Sequence, residues 1–193
     1  MEYFHKNRLL KKIVYKFARA RAELIFCSLK EFLKNEETLL DIGCGSCNII
    51  EVLNENNLNV VALDIKNLSI IHGIKPIVYD GKRMPFVDNT FDCSMILTVL
   101  HHTTQQKELL DEAMRVTKRK IIVLEDIYTN KIDRYVTQFV DSIINLELRH
   151  PRTNRTDSEW RLFFKSLGLR IVNVRFPKRY LVFKPVLYEL EII

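Results

Sequence analysis

The densest chemistry in the chain lies in Leu39-Leu40-Asp41-Ile42-Gly43-Cys44-Gly45-Ser46-Cys47. An apolar run ends there in a glycine turn, and Asn48–Asn54 continues it as a helix. Glycine adopts backbone angles closed to other residues and lets a ligand approach the main chain. The helix start offers free N–H groups and partial positive charge, so such a turn can hold phosphate or a ligand bearing carboxylate and hydroxyl groups. Asp41 precedes the first glycine by two positions, and two more acids, Asp64 and Asp80, each close a later apolar run.

Several chemistries compete for this turn. The dinucleotide pattern G-x-G-x-x-G is met by Gly43 and Gly45, but Asn48 stands in its third place. The G-x-x-x-x-G-K-[ST] phosphate loop is absent. Cys44-x-x-Cys47 opens a helix, where thiol pKa values fall, so a thioredoxin-like redox site is physically open. A redox site places no demand on Asp64 or Asp80. Cys27 and Cys93 form no second C-x-x-C pair to complete a zinc site, so no metal is expected.

His101 and His102 follow the fourth apolar run, and a histidine there can act as general base. The alternative is a loop histidine bonded to backbone. Glu125, Asp126 and Tyr128 follow the fifth run and also face the expected pocket mouth. Asp92, beginning the fourth run, reads as a residue that pins a neighbouring loop.

These groups need a frame. Residues 7–34 read as one long helix or two joined ones, with Leu9, Ile13, Phe17, Ile25, Leu29 and Phe32 on one face and Leu10 and Leu24 widening it. Thr38–Ile42, Asn59–Leu63, Ile74–Tyr79, Phe91–Leu97 and Lys120–Glu125 read as strands, the first two joined by the helix after the glycine turn as a parallel βαβ unit. A short helix is expected over Leu68–His72, another capped by Thr103 or Thr104 and running to Val116, and a third carrying Ile132, Tyr135, Val136, Phe139, Val140, Ile143 and Ile144. Thr156-Asp157-Ser158-Glu159 is a capping box, and Gly168 a C-cap, around Trp160–Leu167. Leu169–Phe176 and Tyr180–Phe183 read as a closing antiparallel pair, with a further stretch at Val186–Ile192. The expectation is one α/β domain over residues 1–193.

The composition agrees. A length of 193 residues suits one domain, and 47% apolar with 28% charged residues is ordinary for a globular protein. No apolar run approaches the ~20 residues that span a bilayer, and no secretory signal pattern opens the chain. A cytoplasmic location with reduced thiols is expected. The net charge of +6 arises wholly in residues 1–34, which hold nine Lys/Arg against three acids. A basic leading helix can meet nucleic acid, together with Arg149, Arg152 and Arg155, or can be a solvated face that aids solubility.

Asp41-Ile-Gly-Cys-Gly-Ser-Cys resembles motif I of the class I S-adenosylmethionine-dependent methyltransferases, D/E-x-G-x-G-x-G, with Cys47 in the last glycine's place. Val60-Val61-Ala62-Leu63-Asp64 resembles their second strand with its ribose-binding acid. Asp80–Asp92 is similar to the D-x-x-x-L-P-F-x-D-x-x-F-D stretch of the small-molecule, type 11-like branch, with Met84 for leucine. Leu97–His102, then Glu112-Ala-Met-Arg115-Val116, resembles that branch's post-strand loop and E-x-x-R-V-L helix, with Thr117 in the last position. The resemblance covers about residues 38–126.

It implies a Rossmann-like α/β fold: a seven-stranded, mostly parallel sheet, its last strand antiparallel, with helices on both faces. It implies S-adenosylmethionine as cofactor, with S-adenosylhomocysteine as product. Asp41, Gly43 and Gly45 would meet the methionyl part, Asp64 and Ile65 the ribose side, Asp80 and Gly81 the adenine, and Leu97 and Thr98 the cofactor amino group. His101 and His102 are the candidate catalytic residues, and 127–153 is the expected cover of the acceptor pocket. A small-molecule acceptor is expected, because no Asn/Asp-Pro-Pro-Tyr/Phe and no Pro-Cys nucleophile is present. The rivals are a nucleic-acid methyltransferase using the basic helix and a non-catalytic scaffold of the same fold.

Overall fold

The computed structural model of the chain describes residues 8–33, 38–144, 151 and 153–193. Its strands are β1 (Leu39–Ile42), β2 (Val60–Asp64), β3 (Ile77–Val78), β4 (Phe91–Leu97), β5 (Thr117–Asp126), β6 (Leu169–Arg175) and β7 (Pro185–Ile192). Its helices are α1 (Arg8–Leu29), α2 (Asn48–Glu55), α3 (Gln106–Val116), α4 (Lys131–Ile144) and α5 (Asp157–Ser166).

The strands form one seven-stranded sheet in the order β3-β2-β1-β4-β5-β7-β6. The first five are parallel, and β7 runs antiparallel to both β5 and β6. The order reverses between β1 and β4. In open α/β sheets the crevice at such a switch point, outside the carboxyl ends of the strands, is where ligands bind.

The apolar strands are covered on both faces, and their alternation explains how. Along β4, Cys93, Met95 and Leu97 join Leu29 of α1 and Ile50 and Leu53 of α2 in one buried layer. Ile96 joins Leu110 and Val116 of α3 and Trp160 and Phe164 of α5 in the other, and an irregularity in β4 between Phe91 and Cys93 brings Phe91 to that side too. In β5, Ile122 and Leu124 serve the first layer while Ile121 and Val123 serve the second. Successive side chains point to opposite faces, so a strand apolar throughout supplies both cores.

Several expectations shift. Helix α1 buries Leu29, with Phe32 just beyond it, but leaves Phe17 64% exposed and Leu24, which lines an open cleft, 42% exposed. No helix forms over residues 68–72; the chain there is irregular before a β3 of only two residues. Helix α3 begins at Gln106 rather than at Thr103, because Leu100–His102 makes a 3₁₀ turn and the Thr103 hydroxyl accepts the Gln105 N–H. The expected apolar face of α4 is exposed at Ile132, Tyr135, Val136 and Phe139, whereas Thr137 and Gln138 are buried. Polar contacts orient that helix: Lys184 pairs with Asp133, and Gln138 reaches Asn154. Tyr180–Phe183 is a turn closed by one isolated bridge, and the strand paired with β6 is β7.

The capping box is present, with Thr156 Oγ1 accepting from Glu159 N–H and Glu159 Oε2 accepting from Thr156 N–H at 2.7 Å. The side chains of Leu9, Leu10, Ile13, Ile143 and Ile144, together with Arg149 and Arg152, lie outside the described residues. No helix among the described residues is long and apolar enough to cross a membrane.

Candidate functional site

The turn after β1 alternates its backbone hand. Gly43, Gly45 and Cys47 have φ of 78°, 50° and 61°, the left-handed region that favours glycine. Cys47 thus keeps the backbone shape of the glycine that its motif usually carries there, at a cost of about 1–2 kcal/mol. A Cβ on Gly43 would stand 2.6 Å from Val99 Cγ2, so only glycine fits beneath that side chain. The N–H groups of Gly43 and Cys44 both donate to the Leu63 carbonyl, at 2.8 and 3.2 Å, tying the turn to β2. Cys44 and Cys47 are free buried thiols 3.6 Å apart.

Of the three acids only Asp64 ends its strand, while Asp41 stands one residue before the end of β1 and Asp80 two residues past the shortened β3, and the three are in different states. Asp64 Oδ2 accepts from Gly45 N–H at 2.8 Å and Oδ1 accepts from Lys66 N–H at 3.1 Å. Asp80, exposed, accepts from the amides of Lys82 and Arg83 through Oδ1, and these bonds hold its carboxyl below the usual range. Ile65, 55% exposed, lies against Gly81, whose Cβ position is 3.3 Å from Ile65 Cγ2. Asp41 differs from both. It is 1% exposed, and neither carboxyl oxygen has a hydrogen-bond partner among the described residues. Burial first, then the nearby Cys47 and Asp64, pushes its pKa up to about 8.

The loop after β4 faces this turn. Leu97 is buried, and Thr98 follows at φ 58°, an outlier for a β-branched residue. Its N–H donates to the Leu124 carbonyl at 2.7 Å. His101 is 2% exposed and its Nδ1 lies 2.6 Å from Glu125 Oε2. Glu125 Oε1 accepts from the N–H groups of Val99 and Leu100, at 3.0 and 2.7 Å. Glu125 is therefore turned inward as an anchor for this loop, not toward the pocket mouth. His102 is the more open histidine of the pair, its ring 4.1 Å from that of His101.

The two outlying motif segments meet in space. Arg115 donates to the carbonyls of Met84 and Phe86 and to Asp88, while Glu112 accepts from Met84 N–H. The helix motif thus clamps the loop that follows Asp80 and Gly81. Asp92 pins the start of β1, accepting from Thr38 N–H and Oγ1. Thr153 lies against the loop after β4, its N–H donating to the His101 carbonyl at 3.2 Å.

One group went unread in the sequence. Arg21, on α1, lines an open cleft with Leu24, Thr98, Leu124, Asp126 and Tyr180, and its Nη2 donates to Thr98 Oγ1 at 3.1 Å. Periodicity alone counts Arg21 among the solvated positions of a helix, and no local signal marks it.

A doubly wound sheet with a glycine turn at its switch point, an acid ending β2 and bonded to that turn, and a β7 reversed against β5 define the class I S-adenosylmethionine-dependent methyltransferase fold. Residues 40–124 match the type 11 family model described as "Methyltransferase domain". An uncharacterized protein of Methanocaldococcus jannaschii is 33% identical over 106 residues, 52% of this chain and 52% of that protein. A ubiquinone/menaquinone biosynthesis C-methyltransferase of Citrobacter koseri is 30% identical over 79 residues, 40% of this chain and 32% of that enzyme. The matches thus span about half the length of the first relative and about a third of the second.

Among solved structures, a Pyrococcus horikoshii protein superposes with a TM-score of 0.74 at 18% identity, over 100% of this chain and 99% of that one. The magnesium protoporphyrin IX methyltransferase of Synechocystis, solved with S-adenosylhomocysteine bound, gives 0.65 at 13% identity, over 97% of this chain and 88% of that one. At these identities the likeness is one of fold. S-Adenosylmethionine is the cofactor of the class, and the residues here fit it: an acid buried without a partner among the described residues and a glycine-rich left-handed turn lie beside the acid that ends β2.

Proposed function

We propose that the protein transfers the methyl group of S-adenosylmethionine to a small-molecule acceptor held in the cleft between α1 and the carboxyl ends of β4 and β5. The observation that carries this reading is Asp41: a carboxyl buried without a hydrogen-bond partner among the described residues, next to the glycine turn. A buried polar group left unpaired is costly, and a ligand ammonium meets that need.

In this reading Asp41 receives the cofactor amino group, directly or through water, and the main chain at Leu97 and Thr98 adds to it. Gly43 and Gly45 let the backbone approach the methionyl chain. Asp64 uses two of its acceptor positions on Gly45 and Lys66 and keeps others for the ribose hydroxyls. Ile65 and Gly81 flank the adenine, with Asp80 Oδ2 accepting from its exocyclic amine.

The cofactor's sulfonium supplies an activated methyl group, so alignment of the acceptor atom carries much of the rate. Glu125 and His101 hold the loop that sets this alignment, and His102 takes the acceptor proton where one must leave. Of the expected cover, residues 145–150 and 152 lie outside the described residues; helix α4, with Thr153 bonded to that loop, covers the pocket and excludes water. The whole chain acts as one methyltransferase domain. The acceptor is read as small because the cleft beside Thr98 is lined largely by apolar and aromatic side chains. A nucleic-acid acceptor draws no support from Arg155, which lies over the Trp160 and Phe163 rings and donates to Gln106.

Calorimetric titration with S-adenosylhomocysteine and with NADH tests the reading. Binding of the first and not the second is expected; the reverse would sink it. A metabolite extract incubated with isotope-labelled cofactor then seeks the acceptor. Tight cofactor binding with no labelled product from any extract would leave a binding protein of the same fold.

A further inference from the structure

Two arginines on α1, two residues apart, have opposite surroundings. Arg19 donates to Glu23, Glu51 and Glu55, so its charge is matched and α1 is closed onto α2. Arg21 is half-buried and extends toward the end of the sheet, where its Nη2 donates to the neutral hydroxyl of Thr98 at 3.1 Å. Among the described residues no carboxylate lies within ion-pair distance of it. A guanidinium presents five N–H donors in a planar fork that matches a carboxylate, and one bond to a hydroxyl leaves most of that capacity unused.

Two further observations mark this end of the sheet as a place for a charged ligand. Thr98, the residue Arg21 holds, is a β-branched residue at φ 58°, a strained conformation of the kind that persists at ligand sites. Asp41 lies on the adjacent strand, paired in register with Met95, three residues before Thr98. It is the complementary group, a buried acid with no partner among the described residues. A cation reaching the end of β4 from α1 and an acid on the neighbouring strand, both without a charged partner among the described residues, suit an α-amino-acid zwitterion.

We infer that Arg21 is a cofactor-binding residue that pairs with the α-carboxylate of S-adenosylmethionine, while Asp41 takes its α-ammonium. The inference rests on the cofactor reading above and adds to it a residue that no motif contains. The same guanidinium also lines the open cleft, so a carboxylate on the acceptor is the rival source of the anion. The contact with Thr98 favours the cofactor.

The test compares two ligands on wild type, Arg21→Ala and Arg21→Lys by calorimetry. S-Adenosylhomocysteine carries the amino-acid group; 5′-methylthioadenosine keeps the adenosine and sulfur but lacks that group. Arg21→Ala should weaken S-adenosylhomocysteine about tenfold or more, as expected for a charge-assisted bond, and leave 5′-methylthioadenosine within about twofold. Arg21→Lys should recover part of the loss, a point charge lacking the fork. Equal weakening of both ligands would make Arg21 a structural residue and overturn the inference. Unchanged S-adenosylhomocysteine affinity in Arg21→Ala would also overturn it and hand the guanidinium to the acceptor. If the wild type binds 5′-methylthioadenosine or S-adenosylhomocysteine but Arg21 is indifferent, this inference falls alone. If the wild type binds neither, the cofactor reading falls first and takes it along.

Discussion

Asp64 Oδ2 accepts the backbone N–H of Gly45 at 2.8 Å, so the acid that ends β2 and the turn that follows β1 hold each other in place. The turn's own amides reach back to β2 through the Leu63 carbonyl, which closes the same joint from the other side. Asp64 and the glycine turn are one mechanical unit.

Asp64→Ala should therefore do two things. Loss of the Gly45 and Lys66 bonds costs about 1–2 kcal/mol of stability, and S-adenosylhomocysteine binding falls about a hundredfold. Denaturation midpoints and calorimetry separate the two effects. An unchanged affinity would remove Asp64 from the site.

Gly43→Ala should be far worse than an ordinary glycine substitution. The residue sits at φ 78°, and its new Cβ would stand 2.6 Å from a Val99 methyl. Backbone strain and overpacking together should cost about 2–4 kcal/mol. Pairing it with Val99→Ala should recover the overpacking part only. A double variant no more tolerant of the change than Gly43→Ala alone would show that Val99 is not what excludes the side chain.

The Asp41 carboxyl gives a pH signature of unusual sign. Burial, with Cys47 and Asp64 nearby, raises its pKa from 3.8 to about 8 in the folded chain. Between those values the native state holds a proton that the unfolded state has lost. The Asp41 contribution to stability is thus full below about pH 4 and declines as pH rises toward 8. Asp41→Asn should flatten that slope in denaturation measured at several pH values. Binding of the ligand ammonium at pH 7 should release a proton, seen as a dependence of calorimetric heat on the buffer's ionisation enthalpy, and Asp41→Asn should abolish it.

The histidine pair should separate by readout. His101→Ala leaves the fully buried Glu125 with only the Val99 and Leu100 amides, and should cost about 2–4 kcal/mol. His102→Ala should cost little stability and lower turnover while S-adenosylhomocysteine affinity stays the same. A parallel loss of affinity in His102→Ala would make it structural as well.

Much of this was legible along the chain because it depends on local rules. Thr156 and Glu159 must be three apart to cap each other, and they do so. The apolar runs of β4 and β5 announced strands, and both form. The glycine turn and Asp64 stand at a strand end, and Asp41 and Asp80 close to one, because strand and turn signals are short-range. Periodicity misled where tertiary partners decide. Phe17 and the apolar stripe of α4 have helical spacing, yet they are exposed, because spacing makes a face without supplying a surface to cover it.

The sequence by itself determined most of the elements and the motif turn, which follow from residue types a few positions apart, and its resemblance to a known family implied the class of cofactor. Only the tertiary structure decided that Glu125 turns inward to His101, that Arg115 clamps the loop after Asp80, and that Arg21 reaches Thr98 from 77 residues away. Those pairings exist because the sheet brings distant strand ends together in one crevice, and hydrogen bonds form between neighbours in space whatever their separation along the chain.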